Sequence, residues 1–135
     1  MSFSNTAETA ILEQVFKGVA LPWNANTDLW LALHTADPTE TGTSVSSEAT
    51  YGGYARVPLN RATDITVTGN QITNTNLEQF AQCTSGSNTI THASIVTTAS
   101  GAGTIIVKGA LNTSIGVATG IQPQFAPSSI TFELD

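Results

Sequence analysis

Leu29, Leu31 and Leu33 alternate with Trp30, Ala32 and His34. A repeat of two residues with one wholly apolar face is the signature of a β-strand lying on a core. Similar short segments recur along the chain. Residues 54–59, 65–68 and 71–74 read as further strands, and Gly69-Asn70 between the last two makes a hairpin turn. Residues 90–98 and 104–110 flank Ala99-Ser100-Gly101-Ala102-Gly103, which joins a second hairpin. Residues 77–81 form a short apolar piece without a clear period. Pro123 confines residues 121–125 to an edge or bulged strand, because proline cannot donate to a ladder. Ile130, Phe132 and Leu134 alternate with Thr131 and Glu133 in a closing strand. About eight short strands with no helices between them exclude a βαβ fold. They predict a mainly β chain, an antiparallel two-sheet sandwich of jelly-roll or Greek-key type.

One helix precedes the strands, over residues 5–19. Asn5 is placed as its N-cap, with Glu8 three residues on in a variant of the capping box. Ile11, Leu12, Val15, Phe16 and Val19 recur at helical spacing, and Gly18 offers a left-handed cap. The ordinary fate of such a stripe is burial on the helix's own domain. The alternative is an arm that docks on a neighbouring subunit.

The 135 residues suit a single domain spanning residues 1–135. Only 10% of them are charged, against about 25% in a typical soluble domain. Thr, Ser, Asn and Gly take their place, and a surface so poor in charge lacks a common protection against association. Lys17, Arg56, Arg61 and Lys108 are scattered and the formal net charge is -6, so no basic stripe awaits nucleic acid. The N-terminus has neither the basic nor the apolar region of a signal peptide, and no run of about 18 apolar residues spans a membrane. The expectation is a protein made in a cytoplasm.

Residues 36–53 form a long polar loop carrying Asp37, Glu40 and Glu48. Asp37-Pro38 is expected to open a type I turn. Loops of this length are often functional, and a surface loop without a partner is the plain alternative.

No catalytic signature competes for attention. His34 and His92 lack a spaced partner and read as strand residues bonded to a neighbour's polar group. Asp37, Glu40 and Glu48 lack the regular spacing of calcium loops. No Gly-x-Ser-x-Gly elbow or phosphate-binding glycine loop occurs. Cys83 stands alone, with no cation beside it in sequence, and reads as a half-buried, unreactive thiol. A carbohydrate-active enzyme would have to draw its carboxylates from Asp37, Glu40, Glu48 and Asp64. Trp23, Trp30, Tyr51, Tyr54, Phe125 and Phe132 are candidates for a sugar platform, with Tyr51 and Tyr54 expected to be the most exposed. No catalytic, cofactor-binding or metal-ligating residue is assigned, and no cofactor is expected.

The run Leu31-Ala32-Leu33-His34-Thr35-Ala36-Asp37-Pro38-Thr39-Glu40-Thr41-Gly42 leads on to Tyr51-Gly52-Gly53-Tyr54-Ala55-Arg56-Val57. With Thr91-His92-Ala93-Ser94-Ile95 and the closing Ile130-Thr131-Phe132-Glu133-Leu134, it resembles a family of small virion proteins of tailed bacteriophages. Members are labelled tail-fibre-like or capsid decoration (cement) proteins. The resemblance implies a non-enzymatic virion component, here expected as a cement protein bound to the major capsid protein and self-associating as a trimer or dimer. Its place would be the outer surface of the capsid. A tail or baseplate module binding host glycan is the second expectation. The chain has neither heptads nor β-helical repeats of its own with which to span a fibre's length.

Overall fold

The computed structural model describes residues 2–134. Strand β1 (Ser2–Phe3) is followed by the helix α1 (Asn5–Lys17). Then come β2 (Asp28–His34), β3 (Val57–Asn60), β4 (Ile65–Thr68), β5 (Gln71–Asn74) and β6 (Glu78–Gln79). The chain ends through β7 (Asn88–Val96), β8 (Ile105–Val117), β9 (Gln124–Phe125) and β10 (Thr131–Glu133). All strand pairings are antiparallel, in sheets ordered β1-β8-β7-β2-β3, β10-β5-β4 and β6-β9.

The sheets pack as a sandwich. Leu29, Leu31 and Leu33 of β2 join Ile95 of β7 and Val107 of β8 in one core with Phe80 and Phe132, and Ile65 and Ile72 pack against it. This is the apolar face that the alternation in β2 foretold. The opposite face of the five-stranded sheet is buried too. Ala32, Val96 and Ile105 form a second small cluster there, and His34, Ser94 and Lys108 are buried beside it. That second burial is why β2 carries apolar or neutral groups on both sides.

Residues 36–53 are what covers this second face. Their last turn runs along the free edge of β2, with Ala49 N–H on Leu33 O (2.9 Å) and Thr35 N–H on Ser47 O (2.8 Å). The Asp37-Pro38 turn is not of type I. Thr39 has φ +66°, where type I needs a negative value, and its N–H is held by Asp37 Oδ1 at 2.8 Å. Gly42 is required by crowding, since a Cβ there would lie 1.8 Å from the carbonyl oxygen of Pro38.

Several boundaries differ from the sequence reading. Strand β3 begins at Val57, because Tyr54 and Arg56 are diverted into side-chain bonds with the loop. Strand β8 runs on to Val117, beyond the expected end at Ala110. It leaves the ladder between Ala110 (opposite His92) and Ile115 (opposite Ile90), so the alternation is lost where the strand merely bulges. Strand β1 was not foreseen, as two residues carry no period.

Candidate interaction surface

Ser4, not Asn5, caps α1: its side-chain oxygen accepts from Ala7 N–H at 3.2 Å. The Ser4 hydroxyl also donates to the carbonyl of Ile105, so the cap ties the helix to β8. Gly18 closes the other end with φ +68°, as expected. Between these caps the expected packing is reversed. Ala7 and Ala10 are the buried residues of α1 and face β8. Leu12, Val15, Phe16 and Val19 are 57%, 65%, 79% and 46% exposed. At about 100° per residue Leu12, Val15 and Phe16 lie on the side of the helix opposite the two alanines, and Val19 follows just beyond the Gly18 cap. Small side chains let the helix sit close to the sheet, and the large ones are left facing outward. The sequence signal was the Ala-x-x-Ala pair, which a search for bulky apolar residues passes over.

The polar residues singled out by sequence have a different role. Arg56 uses all five of its N–H donors. Nε and one Nη2 hydrogen go to the two oxygens of Glu48, at 2.6 and 2.8 Å. The others reach Thr98 O, Thr98 Oγ1 and Gly101 O at 2.9–3.0 Å. Glu48 also accepts from the Tyr54 hydroxyl at 2.9 Å, and that hydroxyl accepts from Leu33 N–H. Burial raises the Tyr54 pKa well above the ordinary phenol value, which keeps it neutral. Ser44 bridges Gly101 O and Gly103 N–H. Lys108 holds Asp37 at 2.8 Å and, with Thr39 N–H, draws its carboxyl below the usual range.

His34 is fully buried, with Nδ1 2.8 Å from Ser46 O and Nε2 2.7 Å from Ser94 Oγ. A carbonyl can only accept, so Nδ1 carries the hydrogen. Burial lowers the pKa of the ring, and in the neutral form Nε2 accepts from Ser94. His92 pairs with Thr91 Oγ1 at 2.8 Å.

These side chains form a clamp that fastens residues 36–53 to the sheet. They do not converge on a reacting centre. Glu48 is committed to Arg56, and Asp37 to Lys108. Glu40 is exposed, and its carbonyl accepts from Asn5 N–H. Asp64 accepts from Asn60 N–H, Thr63 and Asn76. Among the described residues no three His, Cys, Asp or Glu side chains gather to hold a metal ion. Cys83 is buried outright, not half-buried, with Sγ 3.2 Å from Ser85 O.

The aromatic platform does not form either. Tyr51 is buried with its hydroxyl on Ala81 O, Tyr54 is part-buried, and the two rings pack edge to face at 5.5 Å. Tyr54 then stacks on Phe80, and Phe80 meets Phe125. These rings are core, which is the ordinary fate of aromatics beside strands. A groove of about 380 Å³ opens where β8 bulges, between Leu111, Ile115, Phe125 and Ile130. Its lining includes no ionisable side chain. One carboxylate is left over elsewhere: Glu78 is buried on β6, and its Oε1 has no hydrogen-bond partner among the described residues.

The outward face of α1 is the clearest run of exposed large apolar side chains among the described residues. Comparison with curated proteins finds no match. A protein-family model described as "Podophage GP4 fiber I protein gp80" matches residues 2–133, which takes in α1, the clamped loop and every strand. The chain therefore belongs to the podophage GP4 fiber I protein family.

Proposed function

We propose that this chain is a non-enzymatic structural subunit of a podophage fibre, carried on the tail. The observation behind this reading is that the family match runs through the whole sandwich and not through one appended segment. The geometry supports it. Asp37, Glu48 and His34, the groups that could have served chemistry, are engaged in fastening the loop to the sheet. The described body is too small to span a fibre by itself, with a radius of gyration of about 14 Å for this length. It acts as a module that joins other virion components.

Gold-labelled antibody on purified particles tests the reading. Label at the tail, with a few to a few dozen copies per particle by quantitative mass spectrometry, supports it. Label spread over the shell in hundreds of copies overturns it in favour of cement bound to the major capsid protein. A host-glycan contact, if the fibre makes one, does not use Tyr51, whose ring is enclosed.

A further inference from the structure

We infer that copies of this chain join head to tail, the free edge of β4 in one copy pairing in parallel with the free edge of β10 in the next. The contact deepens the fibre reading and rests on it for its purpose. Its test is made on the purified chain, whereas tail placement is read on particles, so either can fail alone.

Three observations lead there. The first is that the three-stranded sheet is open at both ends. Its order is β10-β5-β4, and among the described residues no strand pairs with the outer edge of β10 or of β4. Edge strands are commonly shielded by a charge, a proline or a bulge. Strand β4, Ile65-Thr66-Val67-Thr68, has none of these: its register with β5 is unbroken, and Val67 is 70% exposed.

The second is register. Thr75 N–H donates to Asp64 O, so Asp64, Thr66 and Thr68 turn their backbone groups toward β5, and Ile65 and Val67 turn theirs outward. On β10, Ile130 N–H goes to Asn74 Oδ1 and Leu134 N–H to Asn70 O, which leaves Thr131 and Glu133 facing out. In a parallel ladder a residue bonds to both neighbours of the one opposite it. Val67 N–H then donates to Thr131 O, Glu133 N–H donates to Val67 O, and Val67 stands opposite Phe132. Within one copy Ile72 is the register partner of both Val67 and Phe132, so all three share the face turned to the core. Parallel pairing therefore carries the apolar face on from copy to copy. Antiparallel pairing would set Val67 against Thr131 or Glu133 and turn that face over.

The third is the groove beside β10. Leu111, Ile115, Phe125, Ile130 and Phe132 are in its lining, which includes no ionisable side chain. With Val67 opposite Phe132 and Ile65 opposite Ile130, the incoming strand lays its apolar side chains over this lining. Strand β4 is uncharged as well, which suits a contact between molecules that each carry a net charge of -6. A pairing of β4 with β4 would leave the groove open. One end of the sheet meeting the other is a heterologous contact, which repeats along a filament unless the rotation closes a ring.

Disulfide cross-linking of the full chain is the test. Thr68 and Glu133 are exposed and stand opposite each other across the inferred contact. Within one copy both flank Gln71, two strand spacings or roughly 10 Å apart, too far for a disulfide. Cys83 is buried, so introduced surface thiols react selectively. In an equimolar mixture of Thr68→Cys and Glu133→Cys chains, only the 68–133 pair comes within disulfide reach, and it should exceed 68–68 and 133–133 by at least about tenfold. The double variant Thr68→Cys, Glu133→Cys should give a ladder of dimer, trimer and longer species on a non-reducing gel. Adding Val67→Lys should remove the ladder while circular dichroism stays unchanged. Val45→Lys, at an exposed apolar position in the clamped loop, should leave the ladder intact. Several results overturn the inference: prevalence of 68–68 or 133–133 disulfides, a double variant that stops at dimer, and a ladder that survives Val67→Lys. So does cross-linking no greater than that between Thr68→Cys and Ser100→Cys chains, which leaves the groove to a different virion protein.

Discussion

Arg56 meets Glu48 edge to edge, two parallel hydrogen bonds joining a residue of the β3 approach to the loop that covers the sheet. Both side chains are largely withdrawn from water, so each is held in place by the other. Removing one partner strands the remaining charge. Arg56→Ala should therefore cost about 3–5 kcal/mol in urea denaturation. Arg56→Lys should also be destabilising, because an ammonium cannot reproduce the fork that reaches Glu48, Thr98 and Gly101 together. Combining Arg56→Met with Glu48→Gln, which keeps an acceptor for Tyr54, should recover a large part of the loss. A double variant as unstable as the sum of its singles would refute the coupling.

The buried imidazole gives a pH signature. Burial lowers the folded pKa of His34 below its unfolded value of 6.5. Its contribution is therefore complete above the unfolded pKa and is lost as pH falls through the folded one. The contribution of His34 to unfolding free energy should decline as pH falls below its unfolded pKa of 6.5. His34→Gln should be less stable at neutral pH and should show a flatter decline. Equal slopes in the two proteins would remove His34 as the origin.

Glu78 works in the opposite sense. Burial, with the Asp64 carboxylate adding to it, raises its pKa above the ordinary value. Its share of stability is present below the unfolded pKa and is lost as pH rises through the folded one. At neutral pH the chain thus carries a buried carboxylate oxygen without a partner. Glu78→Gln should stabilise by about 1 kcal/mol at pH 7 and by nothing near pH 4, as read from melts at both values. Destabilisation at pH 7 would show that the charge has a favourable role.

A pair of glycine substitutions checks the tightness of the loop. Gly42→Ala drives a methyl group into the Pro38 carbonyl, and backbone must move, costing about 1–3 kcal/mol. Gly116→Ala meets nothing within 4 Å and should be neutral or slightly stabilising. Equal melting temperatures for Gly42→Ala and the parent would mean that the loop yields freely.

Period-two alternation located β2 and β10 because it is a local property of a strand with one face on the core, and turn signals between β-prone segments located β4, β5 and β7. The helix was visible from its spacing, but the direction of its stripe was not. Spacing shows that Leu12, Val15, Phe16 and Val19 share a side, and nothing in it says that Ala7 and Ala10 will take the sheet. The clamp was hidden for a different reason. Asp37, Glu48, Arg56 and Lys108 are up to 71 positions apart, and only the folded sheet brings them into pairs. Tyr51 and Tyr54 looked exposed because two glycines lie between them. Yet Gly52 pairs with Ser85, and this draws the segment onto the body.

The middle of the five-stranded sheet is assembled from distant parts. Leu31 of β2 lies opposite Ile95 of β7, with most of the chain's length still to be made when β2 leaves the ribosome. Pairings of such long reach place this molecule among slowly maturing topologies, in the millisecond-to-second range. Until β7 and β8 emerge, an apolar strand paired with β3 along one edge keeps its other edge open to the cell. Yield during a burst of viral synthesis will therefore be governed by how fast the last third of the polypeptide follows the first, and cooler or slower expression should favour recovery of native material.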